Sequence, residues 1–212
     1  MSIKINDKKY WTEFYSKNSN TPRVPSPFAT YLIESKIINH PDRLIELGCG
    51  NGRDSIYFAS HDIEVTAIDQ CENTTTMLNE MDKINSFAHD FTNLAPQLNE
   101  IDVIYSRFTL HSINEVDQDR TLQWAYDAIV EGGLFCIEAR TLKDPICGKG
   151  IDKGNNVWFY NNHHRRFIDA QDFKIKLIKI GFKIISFEEK NDLAKYKDDN
   201  PVVLRAIVRK LK

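Results

Sequence analysis

The sequence predicts an α/β fold, a doubly wound, mainly parallel seven-stranded sheet with an antiparallel last strand and helices on both faces. Three observations carry this expectation. Short β-rich runs alternate with helical stretches along most of the 212 residues, the rhythm of parallel strands joined by crossover helices. The stretch LIELGCGNGRDS at 44 to 55 sets three glycines directly behind an apolar run and ahead of a helical pattern, as a tight strand-to-helix turn requires. Near the end, GFKIISFEEK and PVVLRAIVRK are separated only by the polar loop 191 to 200, which suits an antiparallel hairpin closing one sheet edge.

Taken in order, the chain opens on a polar, aromatic segment, DKKYWTEFYSKN, followed by a helix expected at 27 to 39 behind Pro25 and Pro27. Residues 1 to 40 are expected to form a helical lid over the ligand crevice, with Tyr10 and Tyr15 on the substrate side; the recurrence of Tyr10, Trp11, Phe14 and Tyr15 near helical spacing equally fits plain core. Strands are expected at 43 to 47, 63 to 68, 84 to 88, 101 to 106 and 133 to 139. Helices fall near 53 to 60, 72 to 82 and 115 to 130, the last stopped by Gly132 and Gly133. The length fits one domain spanning residues 1 to 212, with 141 to 170 as a substrate-side insertion.

Composition narrows the function. A net charge of −2 supplies no global basic footprint, so no nucleic-acid partner is expected. Cys49, Cys71, Cys136 and Cys147 form no CxxC pair and no His stands at zinc spacing, so reduced thiols and no metal are expected. There is no apolar leader and no 18-residue apolar run, so the expected location is cytoplasmic, away from membranes, as a monomer or homodimer.

The glycine turn lies where open parallel sheets bind ligands, at the carboxyl end of the first strand. A dinucleotide fingerprint starting at Gly48 needs a third glycine at 53, where Arg53 stands. The pattern is instead ExGxGxG, from Glu46 through Gly48, Gly50 and Gly52. After the second strand Asp69 ends VTAID, where a carboxylate can accept both hydroxyls of a ribose. The third strand leads into AHDF and the fourth into YSRFTLHSI. This composite resembles the class I S-adenosylmethionine-dependent methyltransferases, from about residue 40 onward. The resemblance implies a Rossmann-like fold, S-adenosyl-L-methionine as cofactor and S-adenosyl-L-homocysteine as product. It puts Glu46 at the cofactor's amino-acid end, with Gly48, Cys49, Gly50, Asn51 and Gly52 forming the turn. It sets Asp69 and Gln70 at the ribose, Asp90 and Phe91 at the adenine, and Ser106, Arg107 and Phe108 beside the sulfonium. Asp90 also fits a helix cap. The fourth strand ends in SRFT rather than the [DNS]PP[YFW] tetrapeptide of enzymes that methylate DNA bases or release-factor glutamine, which disfavours those acceptors.

Acceptor choice must come from the flanking segments. Between the fifth strand and the next helix lie about thirty residues with glycines, aromatics and the cluster HHRR, read as a long functional loop. Arg140, His163, Arg165 and Arg166 are expected to line a basic pocket, because arginine forks match phosphate or carboxylate oxygens; the bland alternative is a solvated turn. EART at 138 to 141 and HHRRF at 163 to 167 are similar, more loosely, to motifs of small methyltransferases from bacterial surface-polysaccharide clusters, including the capsular O-methyl phosphoramidate type. The expected acceptor is therefore an oxygen of a small anionic phosphate, phosphoramidate or nucleotide-linked sugar. A neutral hydroxyl needs a base, for which His111 and His164 are the candidates. Competing readings are an RNA or protein methyltransferase and a noncatalytic S-adenosylmethionine-binding protein.

Overall fold

The computed structural model describes residues 5, 7–18, 23–39, 42–93 and 98–211; of the expected lid, positions 1–4, 6, 19–22 and 40 lie outside the described residues. The elements run α1 (Lys8–Lys17), α2 (Pro27–Glu34), β1 (Arg43–Leu47), α3 (Arg53–Ala59), β2 (Glu64–Asp69), α4 (Glu72–Leu78), β3 (Ile84–Ala88), β4 (Ile101–Arg107), α5 (Glu115–Ala128), β5 (Ile129–Arg140), β6 (Ile151–Gly154), β7 (Val157–Tyr160), β8 (His163–Arg166), α6 (Ala170–Ile180), β9 (Phe182–Lys190) and β10 (Val203–Lys210).

The main sheet has the order β3-β2-β1-β4-β5-β10-β9. Its strands run parallel apart from β10, which pairs antiparallel with both β5 and β9. In β1, four of five residues are buried, as expected of a strand covered on both faces. One face packs Leu122 and Ala125 of α5 with Phe173 and Leu177 of α6. The other packs Phe28 and Leu32 of α2 with Phe58 of α3 and Leu78 of α4. Chain order reverses direction across β1 and β4, so the crevice beyond their carboxyl ends is the topological switch point. No helix among the described residues is long and apolar enough to cross a membrane.

Three expectations change. The helix at 115 to 130 ends at Ala128 and the chain enters β5 directly at Ile129; Gly132 and Gly133 lie within that strand, where the register with β4 shifts between Ile101 and Val103. The helices expected to reach 39 and 82 end at Glu34 and Leu78. The segment read as a long loop contains a three-stranded antiparallel sheet, β6-β7-β8. Its two turns are Asn155-Asn156 and Asn161-Asn162, all four at φ between 52° and 64°. Two successive positive-φ residues make the two-residue turn whose twist matches a hairpin, and asparagine tolerates that conformation.

Candidate functional site

A cleft of about 1420 Å³ opens at the switch point, walled by the glycine turn, the ends of β2 and β4, the start of α5, the β9–β10 loop and α1. Gly48, Gly50 and Gly52 have φ of 72°, 54° and 74°, where a side chain is strained. Space matters as well: a Cβ on Gly50 would lie 2.3 Å from the Tyr15 hydroxyl, and one on Gly52 2.3 Å from Leu78 Cδ2. Gly48, Cys49 and Asn51 line the cleft, whereas Gly50 and Gly52 do not, because Tyr15 covers the first and Leu78 packs on the second.

Asp69 ends β2 and braces this turn. One carboxylate oxygen accepts from Gly50 N–H and the other from Cys71 N–H, both at 2.9 Å. The Cys71 thiol and the Gln70 N–H add weaker donors to the same carboxylate. Burial pushes the Asp69 pKa up, and the backbone donors oppose that. Gln70 follows in the wall. On β1, Glu46 is buried and accepts from Ser55 Oγ. Burial, and then the neighbouring Asp54, raise its pKa. Asp54 itself accepts from Ser26 N–H, Ser26 Oγ and Tyr105 Oη at 2.7 to 2.8 Å. Since Ser26 also caps α2, Asp54 ties the helix ahead of the sheet to the helix behind the glycine turn.

At the far end, Phe91 packs partly against the core and Asp90 is exposed. Both line the cleft. Asp90 accepts from Thr92 N–H at 3.0 Å and Thr92 Oγ1 at 2.8 Å, so its hydrogen bonds cap the short turn Phe91–Asn93. Arg107 and Phe108 end β4 in the wall, but Ser106 is fully buried and bonded to Thr109 Oγ1, outside it. Phe108 has φ 58°, an outlier for a bulky residue. Two guanidinium groups lie over its ring, Arg107 at 4.3 Å and Arg140 at 5.5 Å from the centroid.

The residues expected to bind or activate the acceptor are mostly turned to protein partners. Arg140 donates Nη1 to Asp144 at 2.8 Å and Nη2 to Asp199. Arg166 donates Nε to Ile113 O at 3.0 Å, and Nη2 to Leu110 O and Gln118 Oε1; it anchors β8 to α5. His163 is buried, stacked on Tyr10 at 4.5 Å, and takes a hydrogen bond from Arg165 Nη2 at 2.6 Å. None of these four arginine and histidine side chains, nor Tyr10, belongs to the cleft wall; Tyr15 does. His111 is buried and its Nδ1 accepts from Arg140 N–H at 3.2 Å. Burial, then Arg165, holds its pKa well below the usual imidazole range. His164 Nδ1 and backbone N–H are tied to Asp7, at 3.0 and 2.7 Å. Neither histidine belongs to the cleft wall, although His111 packs at 5.2 Å against Phe108, which does.

Sequence reasoning missed the wall made by Tyr196, Lys197 and Asp199, since the loop 191 to 200 read only as a connection. Its charged, aromatic composition, LAKYKDD, was the available signal. Asp117 and Arg120 of α5 were missed too, having no motif around them.

Comparison with known proteins adds three findings. The family model described as a methyltransferase domain matches residues 16–187. A Haemophilus influenzae protein named as a probable S-adenosyl-L-methionine-dependent methyltransferase, TehB, is 32% identical over 149 residues, covering 70% of this chain and 43% of the relative. The chain thus spans less than half the length of that curated relative. Among solved structures, Burkholderia thailandensis 1,6-didemethyltoxoflavin-N1-methyltransferase, with bound 1,6-didemethyltoxoflavin and S-adenosylhomocysteine, is similar at TM-score 0.73 and 14% identity, over 97% of this chain and 87% of that one. A TehB-like methyltransferase from Corynebacterium glutamicum is similar at TM-score 0.67 and 15% identity, over 96% and 97%. At such identities these two speak for the fold.

Proposed function

The chain belongs to the methyltransferase-domain family, and on that premise we propose that it is an S-adenosylmethionine-dependent methyltransferase that methylates a small anionic acceptor in the outer half of the cleft. The observation that carries the reading is one cleft of about 1420 Å³ joining the glycine turn and Asp69 to the Phe108 and Tyr196 end. Single small-molecule pockets span roughly 300–1,000 Å³, so this volume suits a cofactor and an acceptor side by side.

Asp69 takes the ribose diol, Glu46 takes the ammonium of the amino-acid end, and Phe91 covers the adenine. The bound cofactor supplies an electrophilic methyl group for in-line transfer. Trp11, Phe14 and Tyr15 of α1 act as a lid that excludes water. His111 and His164 are engaged with Arg140 and Asp7, which favours an acceptor oxygen that arrives already anionic, as on a phosphate or phosphoramidate. Arg165 is the arginine of the cluster that serves it. Its side chain donates to His163 and, among the described residues, has no carboxylate at ion-pair distance. It lies behind the wall near Tyr10 and Asp199, so movement of α1 gives the acceptor access.

Arg165→Ala is expected to leave S-adenosylmethionine affinity within about twofold and to lower methyl transfer about tenfold or more, the scale of one charge-assisted hydrogen bond. A radiolabelled methyl-transfer screen with phosphorylated small molecules, RNA and protein fractions identifies the acceptor class. Transfer confined to RNA or protein, or wild-type turnover by the Arg165 variant, sinks the anionic small-molecule reading.

Glu46 adds a pH signature. Its pKa is raised in the ligand-free protein, so below that pKa the carboxyl carries a proton that an incoming ammonium must displace. Affinity should therefore rise with pH, by up to about tenfold per unit, and level off above the raised pKa. Calorimetry at neutral pH in buffers of different ionisation enthalpy should register proton release on binding. A binding heat independent of buffer would take Glu46 out of this role.

A further inference from the structure

Arg140, the last residue of β5, holds two carboxylates that are anchored very differently. Its Nη1 donates to Asp144 at 2.8 Å, and that side chain is wholly buried at 0% exposure. Ile146 N–H fixes the other Asp144 oxygen at 2.9 Å. Its Nη2 donates to Asp199, whose side chain is 50% exposed and stands in the cleft wall. Asp199 sits at the tip of the β9–β10 loop. The neck of that loop is pinned, with Leu193 O accepting from Arg205 Nη2 at 2.8 Å and Asp192 bonded to Asn200. The tip closes on itself through backbone bonds between Tyr196 and Asp199, at 2.9 and 3.0 Å. Among the described residues, the ion pair with Arg140 is the hydrogen-bonded tie from residues 195 to 199 to the rest of the protein.

The pair lies just behind the cleft. The Arg140 guanidinium is 5.5 Å from the centroid of the Phe108 ring, and Phe108 and Asp199 both belong to the cleft wall. Arg165 shares the same cluster of charges: burial lowers its pKa, Arg140 lowers it too, and Asp144 and Asp199 act the other way. Two guanidinium groups and two carboxylates balance. Taking Asp199 out leaves one positive charge in excess on largely buried groups, which costs free energy unless another anion replaces it. Of the two carboxylates, the half-exposed one reaches water by turning its side chain outward, whereas Asp144 is sealed in. A phosphate-like group carries enough oxygens to take both arginine forks in its place.

We propose that Arg140 is a second acceptor-binding residue, that Asp199 fills its anion seat until an acceptor arrives, and that the acceptor's anionic group displaces Asp199 to lie against Arg140 and Arg165 together. The inference rests on the anionic-acceptor reading above and deepens it. Displacement makes the site selective: a neutral compound offers nothing in exchange for Asp199 and leaves the pair shut, whereas an anion frees the tip of the loop. The competing carboxylate also reduces the apparent affinity by the fraction of time the seat stands open.

Calorimetry with inorganic phosphate tests it on the full chain in the presence of S-adenosylhomocysteine. Asp199→Asn keeps the volume and removes the charge, and should bind phosphate about tenfold or more tightly than the wild type. Asp198→Asn removes the same charge from an exposed neighbour and should stay within about twofold of the wild type, the effect of a distant, screened charge. Arg140→Lys added to Asp199→Asn keeps a cation beside Asp144 and should lose most of the gain, because the fork is gone. Trypsin supplies a second readout, since Lys195 and Lys197 lie in the tip: saturating phosphate should speed cleavage after them in the wild type. Asp199→Asn binding no tighter than the wild type, an equal gain in Asp198→Asn, or cleavage that phosphate leaves unchanged overturns the displacement and leaves the anionic-acceptor reading standing. A gain that survives Arg140→Lys in full overturns the role of Arg140. Phosphate binding to neither the wild type nor Asp199→Asn, with both folded, overturns the anionic-acceptor reading itself, a distinguishable result.

Discussion

Glu138→Ala is expected to lower the stability of the fold by about 3–5 kcal/mol, the cost of removing one partner from a buried ion pair. The residue lies in the middle of the sheet and receives three hydrogen bonds from Arg107 and Arg205. Truncation strands two guanidinium groups in a place water does not reach freely. It also opens space between β5 and β10, whose pairing runs from Val203 opposite Arg140 to Arg209 opposite Leu134. Denaturant unfolding measures the change as a shift in midpoint at constant slope. Glu138→Gln retains an acceptor and the volume, and should cost clearly less. A loss below about 1 kcal/mol for the alanine variant would mean that the arginines find water or other acceptors, and that the triad is not a closed network.

The largest effect on ligand binding is expected from Asp69→Ala. Its carboxylate has two tasks, and both fail together. It accepts the N–H groups of Gly50 and Cys71, which holds the glycine turn against the end of β2. In the proposed reading it also accepts from the ribose hydroxyls. Loss of charge-assisted hydrogen bonds worth about 1.5 to 3 kcal/mol each should weaken S-adenosylmethionine binding by about 3 kcal/mol, more than a hundredfold, with the fold retained. Retention is expected because Gly48 and Cys49 still donate to Ile68 O at 2.7 and 3.0 Å. Calorimetry on the folded variant is the measurement. Unchanged affinity removes Asp69 from the site, whereas a parallel collapse of thermal stability would show that bracing the turn is its main task.

Much of the fold was legible because its signals are local. A strand buried on both faces is mostly apolar at successive positions, as Leu44, Ile45 and Leu47 are, and a turn through three positive-φ positions with close neighbours at Gly50 and Gly52 favours glycine. The hairpins of the β6-β7-β8 sheet are equally local, written as two Asn-Asn pairs, but four-residue strands in a long stretch of glycines, aromatics and HHRR carry too little periodicity to stand out from a loop. Ser106 shows the limit of motif position: it stands beside two residues that face the cleft, but a strand alternates its sides and Thr109 takes the hydroxyl.

The sequence by itself determined the fold class, the glycine turn and the acids beside it, since period, glycine spacing and strand-end position are properties of neighbouring residues. Only the tertiary structure decided which arginines and histidines remain for a ligand. A charged side chain's role depends on what lies within a few ångströms of its tip, and those neighbours come from anywhere in the chain. Arg140 is taken by Asp199, 59 residues away, and Arg166 by Gln118, 48 residues away. His164 is held by Asp7, 157 residues away. Arg107, which stood in no basic cluster, is held through its Nε by Glu138, 31 residues on.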